Sequence, residues 1–180
     1  NNAGGFGWNN GDFDDPSDIF ATSLNVYVSD KNNNRIERFD KYLNFISQLY
    51  TRESDNPGER FGYPLCSATS QFGDLYILDS ENNRIIKFDM FGKYVSNFGG
   101  YDAGKYMLIK PKKFAISNQN NIYVIDGKRI VVFDQYGNGL TIIKRQKNLI
   151  GIHIISNLMT INSKKQIYFA DLSLSTTTPN

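Results

Sequence analysis

Apolar and polar residues alternate on a two-residue period along most of the chain, in short runs separated by polar turns, which is the signature of half-buried strands joined in a meander. The pattern is clearest in three related stretches: VYVSDKNNNRIERFD from Val26 to Asp40, LYILDSENNRIIKFD from Leu75 to Asp89, and IYVIDGKRIVVFD from Ile122 to Asp134. A partial fourth copy, IYFAD, runs from Ile167 to Asp171. Their tyrosines, Tyr27, Tyr76, Tyr123 and Tyr168, stand 49, 47 and 45 residues apart. A repeat of that size marks a solenoid, an array or a propeller.

Within a copy, Val26 and Val28 lie on one face of the strand and Tyr27 on the other. Large apolar groups on both faces predict a strand sandwiched between neighbouring sheets. After the tyrosine strand comes an Asp, a polar turn, then Arg-Ile opening a second strand. Asp30, Asp79 and Asp126 are placed to accept hydrogen bonds from backbone N–H groups of that turn. Arg35, Arg84 and Arg129 follow just across it, within reach of a planar fork on the same carboxylate. These six residues predict a structural hairpin clasp. In the third copy only Gly127 and Lys128 separate Asp from Arg, where the others have four residues. The loss is even, so every strand residue keeps its face, and Asp-Gly favours a tight hairpin turn.

The alternation of Asp30, Asn32 and Asn34 also imitates a calcium loop, but such a loop needs glycine at its sixth position and a bidentate glutamate at its twelfth. Arg35 and Lys41 stand there instead. No metal and no cofactor are expected.

A second turn follows Phe39-Asp40, Phe88-Asp89 and Phe133-Asp134, with Gly92 and Gly137 supplying unusual backbone angles. Each copy is preceded by a polar, glycine-rich connector (FGWNNGDFDDP, ERFGYP, FGGYDAGKYMLIKP) ending at Pro16, Pro64 or Pro111, and then by a short strand such as KFAIS. One repeat therefore offers four strands, the size of a propeller blade. A glycine-rich connector, a proline, a short strand, then VYVAD-like, NNRI-like and F-D-x-x-G-like segments resemble the NHL-repeat family over residues 4 to 140, and the likeness fades over the last forty. The resemblance implies an all-β fold, an NHL-like β-propeller, in a family that is typically a six-bladed ring of interaction modules with a minority of enzymes. The chain supplies about three and a half four-stranded blades, with repeats near 14–60, 61–110, 111–150 and a partial 151–180. This predicts a partial or assembled ring, since closure is how a propeller protects its edges.

Composition narrows the function classes. A formal net charge of +2 gives no strong electrostatic reason to expect nucleic acid. LIGIHII, Leu149 to Ile155, is far too short to span a membrane. The only cysteine, Cys66, cannot form an internal disulfide and is expected to be a small buried filler. His153, the only histidine, sits in that apolar run and is expected to be a packed residue rather than a base or ligand. A lone histidine also counts against the lyase branch that the resemblance brings with it, and against hydrolytic triads. Asp12, Asp14, Asp15 and Asp18 cluster in the first connector without ligand spacing.

Two basic clusters, Lys110 to Lys113 and Lys144 to Lys147, would have to converge on one face to bind RNA. Trp8, Tyr50, Tyr63, Tyr101 and Tyr106 lie in or beside connectors, where exposed aromatics would anchor a protein partner. The expected function is a non-catalytic interaction or scaffold module that binds a protein partner, or itself, through connectors and open edges. The alternatives are a propeller hydrolase or lyase completed by further blades, and an RNA-binding propeller. The chain opens on Asn1 rather than Met, which suggests a processed precursor and an extracytoplasmic, periplasmic or secreted home.

Overall fold

The computed structural model describes residues 3–144, together with the backbone of three further strands at 149–155, 158–162 and 167–168. The His153 side chain, Lys147 and the last three residues of IYFAD lie outside the described residues. Each of the three repeats folds as predicted into a four-stranded antiparallel meander. The first sheet is β1 (Pro16–Ala21), β2 (Asn25–Asp30), β3 (Arg35–Asp40) and β4 (Phe45–Tyr50). The second is β5 (Pro64–Thr69), β6 (Leu75–Asp79), β7 (Arg84–Phe88) and β8 (Tyr94–Phe98), and the third β9 (Pro111–Ile116), β10 (Ile122–Asp126), β11 (Arg129–Phe133) and β12 (Gly139–Lys144). A three-stranded sheet follows, β13 (Leu149–Ile155), β14 (Leu158–Asn162) and β15 (Ile167–Tyr168).

The first strands of successive sheets touch in the order β1, β5, β9, β13. That arrangement is a propeller's: each sheet is a blade and its first strand lines the axis. The chain is all-β and forms an arc of such a ring. Its helical content among the described residues is one 3₁₀ turn, Gly104–Tyr106, and no described helix is long and apolar enough to cross a membrane.

Turn chemistry recurs from blade to blade. The clasp residues sit directly opposite one another, Asp30 with Arg35, Asp79 with Arg84 and Asp126 with Arg129. The left-handed residue each of these turns needs is Asn34 (φ 54°), Asn83 (φ 49°) or Gly127 (φ 58°). In the F-D-x-x-G turn one carboxylate oxygen of Asp40, Asp89 or Asp134 accepts the N–H groups two and four residues on, at 2.8–2.9 Å. Gly92 (φ 80°) and Gly137 (φ 89°) take the left-handed position, but the first blade puts Leu43 there at φ 63°. A left-handed L-residue costs about 1–2 kcal/mol, and a glycine gives back about 0.5–1 kcal/mol in unfolded-chain entropy. Leu43→Gly is therefore expected to raise stability by up to about 1.5 kcal/mol in urea unfolding.

Blades meet through apolar side chains from both faces. Ile36, Phe61, Ile77, Ile86 and Phe88 close the junction of blades 1 and 2. A larger cluster around Tyr76, Leu78, Ile85, Phe98, Leu108, Val124 and Phe133 closes that of blades 2 and 3. Phe61 and Leu108 are connector residues, each three positions before its blade's opening proline, and Phe13 holds the same place before Pro16. Phe13 and Phe61 pack edge-on against the strand-ending Phe39 and Phe88, at 6.1 and 6.3 Å between centroids. Cys66 is fully buried among these groups, and burial pushes its thiol up to about 12, so it stays protonated and inert at neutral pH.

Candidate functional site

The clasp binds more than the hairpin. One oxygen of each Asp takes its Arg: Arg35 Nε donates to Asp30 Oδ2 at 2.8 Å, Arg84 Nε to Asp79 Oδ2 at 3.0 Å and Arg129 Nε to Asp126 Oδ2 at 2.9 Å. In blades 1 and 2 the Asn two residues before the Arg, Asn33 or Asn82, donates to the same oxygen at 2.8 Å.

The other oxygen departs in blades 1 and 3 from the sequence expectation that it accepts amides of its own turn, and meets that expectation only in part in blade 2. Asp30 Oδ1 accepts the Asp14 N–H at 2.8 Å, and Asp126 Oδ1 accepts those of Ile109 and Lys110 at 2.9 and 2.6 Å. Asp79 Oδ1 accepts Gly62 N–H at 3.2 Å as well as the turn amide of Asn82 at 3.3 Å. The connectors lie against the blade with no strand to pair with, and their N–H groups need an acceptor. The arginines reach back to connector carbonyls too: Arg35 to Trp8, Asn9 and Asp12, Arg84 to Arg60, and Arg129 to Lys105 and Met107. Each Asp–Arg pair thus fastens a connector to its own blade.

Blade 1 adds a buried charge at a position where blades 2 and 3 have an apolar residue. Glu37 is fully buried, with Arg35 Nη2 at 3.3 Å and the Gly11 N–H donating to Oε2 at 3.1 Å. Ile86 and Val131 hold the equivalent position in blades 2 and 3. Burial raises the Glu37 carboxyl above its ordinary 4.5, and the Arg35 charge opposes that rise. The folded state therefore holds this proton more tightly than the unfolded chain. The group favours folding below pH 4.5 and loses that contribution as pH rises through the folded value. The stability of the native chain relative to Glu37→Gln is expected to fall from below pH 4.5 to neutrality; a difference that rises with pH would contradict this.

The aromatics singled out in the sequence separate into two groups. Trp8 packs edge-on against Tyr50 at 6.0 Å and under the Arg35 guanidinium at 5.4 Å, yet stays 55% exposed. Tyr106 is half-buried over Phe133, its hydroxyl donating to the Leu140 carbonyl at 3.3 Å. Tyr63 and Tyr101 are exposed, Tyr101 at 92%.

The acidic connector residues disperse to separate partners: Asp15 to Lys31 at 2.6 Å, Asp18 to Lys113 at 2.8 Å, Asp14 to Asn32 at 3.1 Å, and Asp12 to Asn9 at 3.0 Å. No group of three or more His, Cys, Asp or Glu among the described residues could hold a metal ion. In the basic run, Lys113 is spent on Asp18 and Pro111 is buried, leaving Lys110 and Lys112 exposed.

No protein-family model matches the chain, and no curated protein matches it in sequence. Solved structures do match in fold. Virginiamycin B lyase from Staphylococcus aureus superposes with a TM-score of 0.56 at 17% identity, over 88% of this chain and 56% of that one. Kluyveromyces lactis Hsv2 gives 0.58 at 12% identity over 89% of this chain and 47% of its own. The extracellular domain of BT4673 from B. thetaiotaomicron gives 0.58 at 10% identity over 88% and 24%. The chain spans about half the length of the first two and a quarter of the third. A lyase, Hsv2 and an extracellular domain share the architecture, and at these identities the likeness establishes one thing: the chain is built as part of a β-propeller.

Proposed function

We propose that this chain is a non-catalytic protein-interaction module of NHL type, working in an assembly that continues the ring from the free face of blade 1. One observation carries the reading. Ser67 of blade 2 and Ile19 of blade 1 are equivalent, pairing with Ile77 and Val28 respectively. Ser67 is 3% exposed at a junction between blades, whereas Ile19 is 67% exposed on the face of blade 1 turned away from blade 2. In the first connector Trp8, edge-on to Tyr50, is 55% exposed, and Phe6 is 87% exposed. A large apolar group held in water on a face that every other described blade covers fits a docking surface for a further blade.

The NHL reading is supported by the jobs of its characteristic segments: the Asn-Arg run fastens each connector to its own blade, and the Phe-Asp turn caps its own hairpin while Phe88 and Phe133 pack at the junctions. An extracytoplasmic location belongs to the same proposal, supported by the fold shared with the BT4673 extracellular domain.

Ile19→Glu tests the reading. The residue is exposed in the chain itself, so thermal unfolding of the monomer is expected to stay unchanged. Burying the new carboxylate at an interface would weaken association by about 30-fold or more, the scale of an interfacial hot spot. Association that survives Ile19→Glu undiminished would overturn the proposal.

A further inference from the structure

The junctions of blades 1 with 2 and of blades 2 with 3 are built from equivalent positions, so each is a control for the other. At the second junction the outer half is shut. Tyr76 donates its hydroxyl to the Gln135 carbonyl at 3.3 Å, and Phe98 lies 5.0 Å from Phe133 between centroids. A Cβ added to Gly137 would stand 2.6 Å from the Phe98 ring. Lys87 lies over the Tyr76 ring at 5.4 Å and is neutralised by Asp74 at 2.8 Å.

At the first junction three of these groups are replaced. Leu49, which pairs with Ile36 as Phe98 pairs with Ile85, is too small to reach across. Gly92, in the place of Gly137, has nothing within 4 Å of an added Cβ. Arg38 replaces Lys87, and the neutral Asn25 replaces Asp74. An open cleft of about 260 Å³ results, with Arg38 in one wall and Tyr27, Leu49, Leu75, Met90 and Phe91 around it.

Arg38 is half-buried there. Its Nε donates to Asn25 Oδ1 at 3.0 Å and its guanidinium lies 5.9 Å from the Tyr27 centroid, but it enters no ion pair among the described residues. The one acid lining the cleft, Asp89, directs an oxygen into its own turn, accepting the Phe91 and Lys93 N–H groups at 2.9 Å each.

We propose that this cleft binds a small organic carboxylate with an apolar body, the carboxylate pairing with the Arg38 guanidinium and the body lying on Tyr27, Leu49 and Leu75 between the Met90 and Phe91 lips. A single guanidinium outside any ion pair matches a monoanion, and its planar fork matches a carboxylate. The volume falls below the roughly 300 Å³ at which drug-sized sites begin, so the occupant is small. This site is separate from the face at Ile19 and does not depend on it.

The test is a titration of the intact chain with 3-phenylpropanoate and with its neutral amide, followed by two-dimensional amide NMR. The carboxylate is expected to move the Gly73 and Gly92 signals and to bind at least about tenfold tighter than the amide. Asn25→Asp, which installs the counter-ion that blade 2 carries, should weaken binding by about tenfold or more, and Leu49→Phe, which fills the cleft, should abolish it. Equal binding of acid and amide, an affinity unchanged by both variants, or no shift at Gly73 and Gly92 up to millimolar ligand would each overturn the proposal.

Discussion

Asp30→Ala is expected to destabilise the chain by about 3–5 kcal/mol, the cost of removing one partner from a buried ion pair. Arg35 is 1% exposed, and without Asp30 its guanidinium would keep Glu37 at 3.3 Å while Asn33 and the Asp14 N–H lost their acceptor. The same change in the other blades should cost less, because their arginines see more water: the side chain is 14% exposed at Arg84 and 25% at Arg129. The predicted order is Asp30 over Asp79 over Asp126, with Asp126→Ala near about 1–2 kcal/mol. Urea midpoints at constant m-value measure it. Equal losses in all three blades would show that burial of the pair does not set its weight.

Gly137→Ala and Gly92→Ala form the second pair of large effects. Both glycines are left-handed and both close the same turn, so backbone strain of about 1–2 kcal/mol is common to them. Only Gly137 adds a collision, with the Phe98 ring 2.6 Å from the new Cβ, and overpacking of that kind costs about 1–3 kcal/mol more. Gly137→Ala is expected to lose about 1–4 kcal/mol in total, once the roughly 0.5–1 kcal/mol of unfolded-chain entropy that alanine saves is counted, and Phe98→Leu should recover part of the collision when the two are combined, as a double-mutant cycle would measure. If Gly92→Ala proves as costly as Gly137→Ala, the two junctions are packed alike and the cleft beside Gly92 is not open.

The repeat was legible because its residues answer local demands. An Asp facing an Arg across a turn, an Asn or Gly where φ turns positive, and alternation on both faces are written in adjacent positions, and the structure follows them blade by blade. What the carboxylates hold on their second oxygen was not legible, since the connector amides of Asp14, Gly62 and Lys110 are neighbours only after the chain has folded back on the blade. The apolar residue three before each proline stands in DFDDP, ERFGYP and MLIKP, but nothing in the connector itself marks it as the residue that packs onto the blade, or marks Phe61 and Leu108 as wedges between blades.

The departures within the repeat carried signals that alignment of the copies could have exposed. RIERFD places Glu37 where RIIKFD and RIVVFD place Ile86 and Val131, and KYLN places Leu43 where the other two turns place glycine. The exchanges of Asp74 for Asn25 and of Phe98 for Leu49 are equally visible. Their consequence, a guanidinium outside any ion pair in an unfilled junction, depends on how two blades meet and appears only in three dimensions.

The central claim, that the face carrying Ile19 is covered by further propeller structure in an assembly, is tested most directly by the native mass of the chain in solution, measured by light scattering at micromolar concentration. The account predicts a species of at least twice the 20.5 kDa of one chain, reduced to one chain by Ile19→Glu. A stable, cooperatively folding monomer of 20.5 kDa across that range would mean that the arc stands alone with its face in water, and would contradict the claim.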